Sequence, residues 1–188
     1  MFVEPTWFQG LLFYLGYILV PLIIGAAILV IGLVKDNGKI FVVGAVFVVI
    51  AVLMALGGAD VMWHYQVEEA SVNEAIITVD DWQPTFGRYW GDVNSADDLM
   101  LKTTDGKLYG NKENFLFGKF NTRDILDQLK PNGTYKIKYY GWREGYNNGV
   151  PNILEVTEVI NETNSPVHHD ISDYMNKRSV IIDNDDYR

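Results

Sequence analysis

The chain has 188 residues, a formal net charge of −9, 5 Trp, 11 Tyr, 9 Phe and no Cys. Without a thiol there is no disulfide framework, thiolate nucleophile, zinc ribbon or iron–sulfur cluster, and the acidic balance argues against a general nucleic-acid binder, whose phosphate contacts need clustered Lys and Arg. Charge is unevenly spread: residues 1–62 carry only Lys35, Lys39, Glu4, Asp36 and Asp60, leaving 13 of the 15 bases and 21 of the 24 acids to the rest. That partition predicts a membrane anchor over 1–65, one compact soluble domain over 66–162, and an acidic, partly loose tail over 163–188. The soluble part, about 126 residues, is long enough for one core and hardly for two.

From Phe8 to Val34 the only strongly polar side chain is Gln9, and this run exceeds the roughly 20 residues a helix needs to cross the hydrocarbon of a bilayer. A short loop, Lys35-Asp36-Asn37-Gly38-Lys39, precedes a second uncharged run from Ile40 to Ala59. The spacing predicts two antiparallel membrane helices, about 8–34 and 40–62. Pro21 is expected to kink the first, and Gly16, Gly25, Gly32 and Gly44 could let the backbones approach closely. Trp7 and Phe8, with Trp63 and Tyr65, fit aromatic belts at one water interface. A cleaved signal peptide is the competing account of residues 1–34, but it wants a basic leading region, and no Lys or Arg precedes Lys35. Lys35 and Lys39 in the loop put that loop inside, and hence both termini and the soluble domain outside.

After Tyr65 strand-like stretches alternate with turn residues. Ala70–Asp80 reads as a first strand around Ile76-Ile77-Thr78-Val79. An aromatic loop follows through Trp82, Phe86, Tyr89 and Trp90. Leu99–Thr104 and Lys107–Asn111 flank Asp105-Gly106, which suits a two-residue hairpin turn. Asn121-Thr122 caps a short helix over 123–129, with Ile125, Leu126 and Leu129 on one face and Pro131 closing it. Thr134–Trp142 and Asn152–Val159 form a last hairpin around a Gly/Asn-rich loop. The predicted fold is thus a membrane α-helical hairpin plus a small mainly-β domain, five strands with one short helix between strands 3 and 4.

That order resembles the OB-fold, a five-stranded Greek-key barrel; a β-sandwich or an open α+β sheet would give a similar string. Two helices followed by such a domain also resemble uncharacterised small membrane proteins of archaea and bacteria, and loosely the NfeD type, which joins membrane helices to an OB-like domain. The resemblance covers the chain as an architecture and transfers no active-site residue.

No Gly-x-Ser-x-Gly, Gly-Lys-Ser/Thr, His-Glu-x-x-His or Asp-x-Asp-x-Asp-Gly pattern occurs. His168-His169-Asp170 is the one cluster reminiscent of metal ligands, but adjacent residues of an extended chain point apart and zinc prefers wider spacing; no metal and no cofactor is expected. Asp80-Asp81 and Asp97-Asp98 could pair as acid and base or bind calcium, though turn and capping roles suit them better. In an OB-like barrel the first loop (Trp82, Phe86, Tyr89, Trp90) and the last hairpin loop (Trp142, Arg143, Tyr146, Asn147, Asn148) flank the ligand face. Exposed aromatics there suit a protein, glycan or peptide, whereas the more ordinary role for Trp82, Trp90 and Trp142 is to plug the barrel ends or rest on the bilayer interface close to Trp63. Lys136, Lys138 and Arg143 beside aromatics could hold single-stranded nucleic acid, which the net charge disfavours. Asn132 and Asn161 head N-x-Thr sequons. The reading is a membrane-anchored interaction or assembly module, not an enzyme, with the lipid bilayer and either a protein partner or a second copy as its partners; an accessory subunit of a larger membrane complex and a metal-dependent membrane hydrolase are the alternatives.

Overall fold

The computed structural model describes residues 2–86, 93, 95–143 and 149–163, and the chain divides into two compact units, Met1–Ala70 and Ser71–Arg188. The first unit carries two helical stretches long and apolar enough to cross a membrane, Trp7–Val34 and Gly38–Ser71. Helix α1 (Trp7–Val34) is opened by a capping box: the Thr6 hydroxyl accepts from the Gln9 amide at 3.3 Å, and the Gln9 side chain accepts from the Thr6 amide at 2.8 Å. The one strongly polar residue of the apolar run is therefore a helix-start residue. Asn37 caps α2 (Gly38–Leu53), its side-chain oxygen accepting from the Lys39 and Ile40 amides. The link is thereby shorter than the expected 35–39, with Asp36 in the left-handed region at φ 46°.

Of Gly16, Gly25, Gly32 and Gly44, the last three sit where the helices touch. A Cβ on Gly25 would lie 2.9 Å from the Gly44 carbonyl oxygen, one on Gly32 2.6 Å from the Phe41 amide, and one on Gly44 2.6 Å from the Leu29 amide, whereas Gly16 has open space around it. Pro21 remains inside α1. The interruption falls in the second stretch, which continues from α2 through a π-helical turn (Met54–Gly58), α3 (Ala59–Trp63), a second π-helical turn (His64–Glu68) and a 3-10 turn (Glu69–Ser71), with Gly57 at φ 126°. It therefore runs well past the expected end at residue 62. Past Gly58 neither Gly nor Pro intervenes before Ser71, and the polar side chains find partners on α1: the Tyr14 hydroxyl donates to Asp60 at 2.9 Å and the Gln66 amide to the Tyr17 hydroxyl at 2.6 Å. Trp63 meets Phe13 edge-on and stacks on Tyr14.

The second unit is a five-stranded mixed sheet with one short helix: β1 (Asn73–Pro84), β2 (Leu99–Thr103), β3 (Leu108–Gly110), α4 (Thr122–Gln128), β4 (Thr134–Tyr140) and β5 (Asn152–Asn161). β1 serves two neighbours. Residues 73–78 pair antiparallel with β4, and residues 79–84 pair antiparallel with β2, the register shifting between Val79 and Asp81. β2 pairs with β3 and β4 with β5, both antiparallel, and Gly110 opposite Asn152 makes a parallel pair between β3 and β5. The pairings therefore run β1-β2-β3-β5-β4 and return to β1. β1 runs four residues beyond the expected end at Asp80, because the shift turns the strand without stopping it, and Trp82 becomes a strand residue.

The core gathers inward residues of every strand around one face of α4: Val79 and Trp82, Leu101, Tyr109, Ile137 and Ile153 meet Ile125, Leu126 and Leu129. On β4 the alternation is explicit. Tyr135 and Ile137 point in, while Lys136 and Lys138 point out and pair across the sheet with Glu74 (2.6 Å) and Glu155 (3.3 Å). Asn121 takes the cap position of α4, but its side chain donates to the Leu154 carbonyl instead of capping. Gly133, just before β4, admits nothing larger, since a Cβ there would fall 2.5 Å or less from the ring and hydroxyl of buried Tyr135.

The β2–β3 turn is one residue longer than the two-residue Asp-Gly form. Thr103 donates its amide to the Lys107 carbonyl at 3.0 Å, and of Asp105 and Gly106 only Gly106 takes a positive φ, 81°. The Asp105 carboxylate accepts from the Thr103 hydroxyl and pairs with Lys107, which hold its pKa at about 2 instead of 3.8. Its contribution is present above pH 3.8 and disappears as pH falls through about 2.

Candidate binding surface

Two loops leave the sheet side by side. The chain after β1 is fixed at its start by the Thr85 amide, which donates to the Asp98 carbonyl at 2.8 Å, and Phe86 then stands 42 % exposed. The chain after β4 turns at Gly141 (φ 81°), whose amide donates to the Ser71 hydroxyl at 2.8 Å. Two residues on, the Arg143 guanidinium lies over the Phe86 ring, 5.7 Å from its centroid. The two loops read from the sequence as flanking one ligand face therefore touch through Phe86 and Arg143, and Trp142, next to Arg143 in the chain, is half-buried.

Trp82 does not join them. It is fully buried, and its indole nitrogen donates to the Leu129 carbonyl at 3.1 Å, satisfying a carbonyl that the end of α4 leaves open. The expectation of an exposed ligand-stacking Trp82 is corrected: β1 carries the indole under the helix and into the core. Tyr89, Trp90, Tyr146, Asn147 and Asn148 lie outside the described residues, as does the tail with His168, His169 and Asp170.

Three of the four aspartates have local partners, and the Asp97 Oδ1 is buried without a hydrogen bond. Asp80 pairs with Lys102 at 2.6 Å, Asp81 accepts from the Trp82 amide, and Asp98 accepts from Ser95 at the start of the 3-10 turn 96–98. Among the described residues no group of three His, Asp or Glu side chains is placed to hold a metal ion. The sequon asparagines Asn132 (φ 63°) and Asn161 are both exposed, and Asn161 pairs in the sheet with Thr134, the third residue of the other sequon.

Two features escaped the sequence reading. His64 is buried in the first unit between two carboxylates of its own helical stretch, Nδ1 3.1 Å from Glu68 and Nε2 3.6 Å from Glu69; the i, i+4 spacing of His64 and Glu68 was the available signal. The other is the segment between β3 and α4. There Lys119 is buried, its ammonium donating to the Asn111 side-chain oxygen at 2.9 Å and to the Lys112 carbonyl at 2.8 Å. Burial lowers its pKa from 10.5 to about 8, against the opposing pull of Asp97 and Glu113. Lys102, Lys107, Lys130 and Lys136, each hydrogen-bonded to a carboxylate at the surface, move the other way.

A titration of the lysine ε-positions by heteronuclear NMR should therefore show Lys119 releasing its proton near pH 8 and those four above 10.5. A folded pKa below the unfolded one means that the native state binds fewer protons between pH 8 and 10.5. Stability attributable to this group should rise with pH across that window, the cost of burying the charge being present in full below it. An ordinary titration at Lys119 would show that the amine reaches water.

Comparison with protein-family models, with curated proteins and with solved structures returned no match for this chain.

Proposed function

We propose that the chain is a membrane-anchored interaction or assembly module whose second unit is an OB-like barrel held at the outer membrane surface. The barrel reading rests on three features: a bent β1 shared between β4 and β2, a ring of pairings closed by a parallel β3–β5 contact, and one helix between β3 and β4. The outside placement rests on Lys35 and Lys39 in the helical link.

The observation that carries the binding role is Arg143 over Phe86. It brings the start of the first loop against the start of the last, and in an OB-like barrel these two loops flank the ligand face. A cation on an aromatic face, with more aromatics in the same two loops, suits a protein, peptide or glycan whose own groups complete the stack. The experiment is photo-cross-linking of the full chain in its native membrane from residues 86 and 143, with position 107 on the β2–β3 turn as reference. A species captured from 86 and 143 and not from 107, and lost at least tenfold in the Phe86→Ala/Arg143→Ala double variant, is the expected result. Equal capture from all three positions, or capture indifferent to the double variant, overturns the reading.

A further inference from the structure

Between β3 and α4 the chain makes a compact turn with bare phenylalanines at its tip. Phe115 is 81 % exposed and Phe120 62 % exposed, with Leu116 half-buried between them, and the two phenyl rings meet edge-on at 6.4 Å. The turn beneath them is heavily built. Asn114 and Lys119 exchange both main-chain hydrogen bonds, the Asn114 side-chain oxygen accepts from the Leu116 and Phe117 amides, and Gly118 takes the left-handed conformation at φ 63°. Below, the Asn152 side chain bonds both the amide and the carbonyl of Lys112, and the Tyr140 hydroxyl accepts from Asn114 and Asn152. Phe117 folds back onto the Tyr140 ring, centroids 4.3 Å apart, and the buried Lys119 ammonium ties the base of the turn together. A desolvated amine and a web of side-chain hydrogen bonds thus fix a segment whose outermost groups are apolar and in water.

We propose that this turn is a membrane-contact element: Phe115, Leu116 and Phe120 enter the headgroup and upper acyl region of the same bilayer that holds α1 and α2. Size decides the occupant. The turn offers three apolar side chains, Phe115, Leu116 and Phe120, far short of the roughly 1,200 Å² that a stable protein interface buries. A bilayer demands no such area from a chain already anchored in it, because the anchor keeps the tip at an effective concentration on the order of millimolar and association is intramolecular. Aromatic side chains are also the ones that settle at the boundary between headgroups and hydrocarbon. The proposal rests on the reading of the two helices as membrane-embedded and is independent of the Phe86–Arg143 surface.

The chain has no cysteine, so single spin labels can be placed without background. Labels at Phe115→Cys and Phe120→Cys in the full chain, reconstituted in phosphatidylcholine vesicles, are compared by collision with oxygen, which concentrates in the bilayer, and with a water-soluble nickel chelate. Ile23→Cys on α1, 65 % exposed, is the membrane reference, and Lys107→Cys the water reference. Positions 115 and 120 should be oxygen-accessible and shielded from nickel. A label at Leu116→Cys should then lose that shielding when Phe115→Glu and Phe120→Glu are introduced together. Nickel access at 115 and 120 equal to that at 107 overturns the proposal, and so does exclusion of both reagents, the signature of a protein cover such as a second copy. Nickel access at position 23 would instead overturn the membrane reading itself, so the two failures are distinct.

Discussion

Trp82→Ala should cost about 3–5 kcal/mol of the second unit's stability, the range for emptying a buried Trp site. The indole has no exposed surface, reaches from β1 beneath α4, and donates to the Leu129 carbonyl. Removal leaves both a void and an unpaired carbonyl where α4 ends. A domain is typically stable by about 5–15 kcal/mol, so the variant should expose the amides of β1 and α4 to hydrogen exchange in the full chain while the helical hairpin stays protected. Trp82→Phe separates the two contributions. It keeps most of the packing and strips only the hydrogen bond, for an expected loss of about 1–3 kcal/mol. If Trp82→Ala instead left exchange unchanged and weakened capture at residues 86 and 143, the indole would belong to the binding surface after all.

The second large effect is expected in the helical hairpin. Gly44→Leu places a branched side chain where even a Cβ would lie 2.6 Å from the Leu29 amide and 2.9 Å from the Gly25 carbonyl oxygen. Helix backbone cannot yield as a flexible side chain can, so α1 and α2 must move apart and give up the contact along their whole length. Overpacking of this kind costs about 1–3 kcal/mol, and here the small residues are themselves the fit. Gly16→Leu is the matched control, because its surroundings are open. A spin-label pair at Val20 and Val49, both exposed, should report a longer and broader distance for Gly44→Leu and none for Gly16→Leu. Equal behaviour of the two variants would mean that the hairpin does not depend on close backbone approach.

The same glycines show what could be read in the amino-acid sequence and what could not. Two apolar runs separated by Lys35–Lys39 dictate a pair of helices on length and hydropathy alone, but Gly16, Gly25, Gly32 and Gly44 look alike until the helices are rotated against each other. Only then do Gly25, Gly32 and Gly44 face the partner and Gly16 face away. In the second unit the strand order followed from local signals: apolar clusters, Asp105-Gly106, and Pro131 after a short amphipathic run. The end of β1 did not. A register shift between Val79 and Asp81 depends on which strand lies on either side, and that is decided by partners far away in the sequence. In the sequence Trp82 accordingly falls among loop aromatics, since an aromatic beside Gln83 and Pro84 looks the same in a bent strand and in a loop. Of the expected binding residues, Phe86 and Arg143 do come together. The Phe115–Phe120 turn left no periodic trace, because three apolar residues between Asn114 and Gly118 match neither a helix nor a strand, and its rigidity comes from Asn152 and Tyr140, remote in the chain.

The parallel contact of β3 with β5 gives the ring of strands a preferred line of rupture. β4 and β5 face each other over seven paired positions, whereas among the described residues β3 pairs with β5 at Gly110 and Asn152, next to the bond from the Gly110 amide to the Pro151 carbonyl. The Asn152 side chain stands in for the missing ladder by taking both the amide and the carbonyl of Lys112, as a neighbouring strand would. The Asn152 carboxamide thus reinforces a junction whose main-chain bond is the Gly110 amide donating to the Pro151 carbonyl at 2.7 Å. Loss of that main-chain bond and of the Asn152 carboxamide together would free the β2–β3 hairpin from β5 with the β1–β4 and β4–β5 ladders still paired.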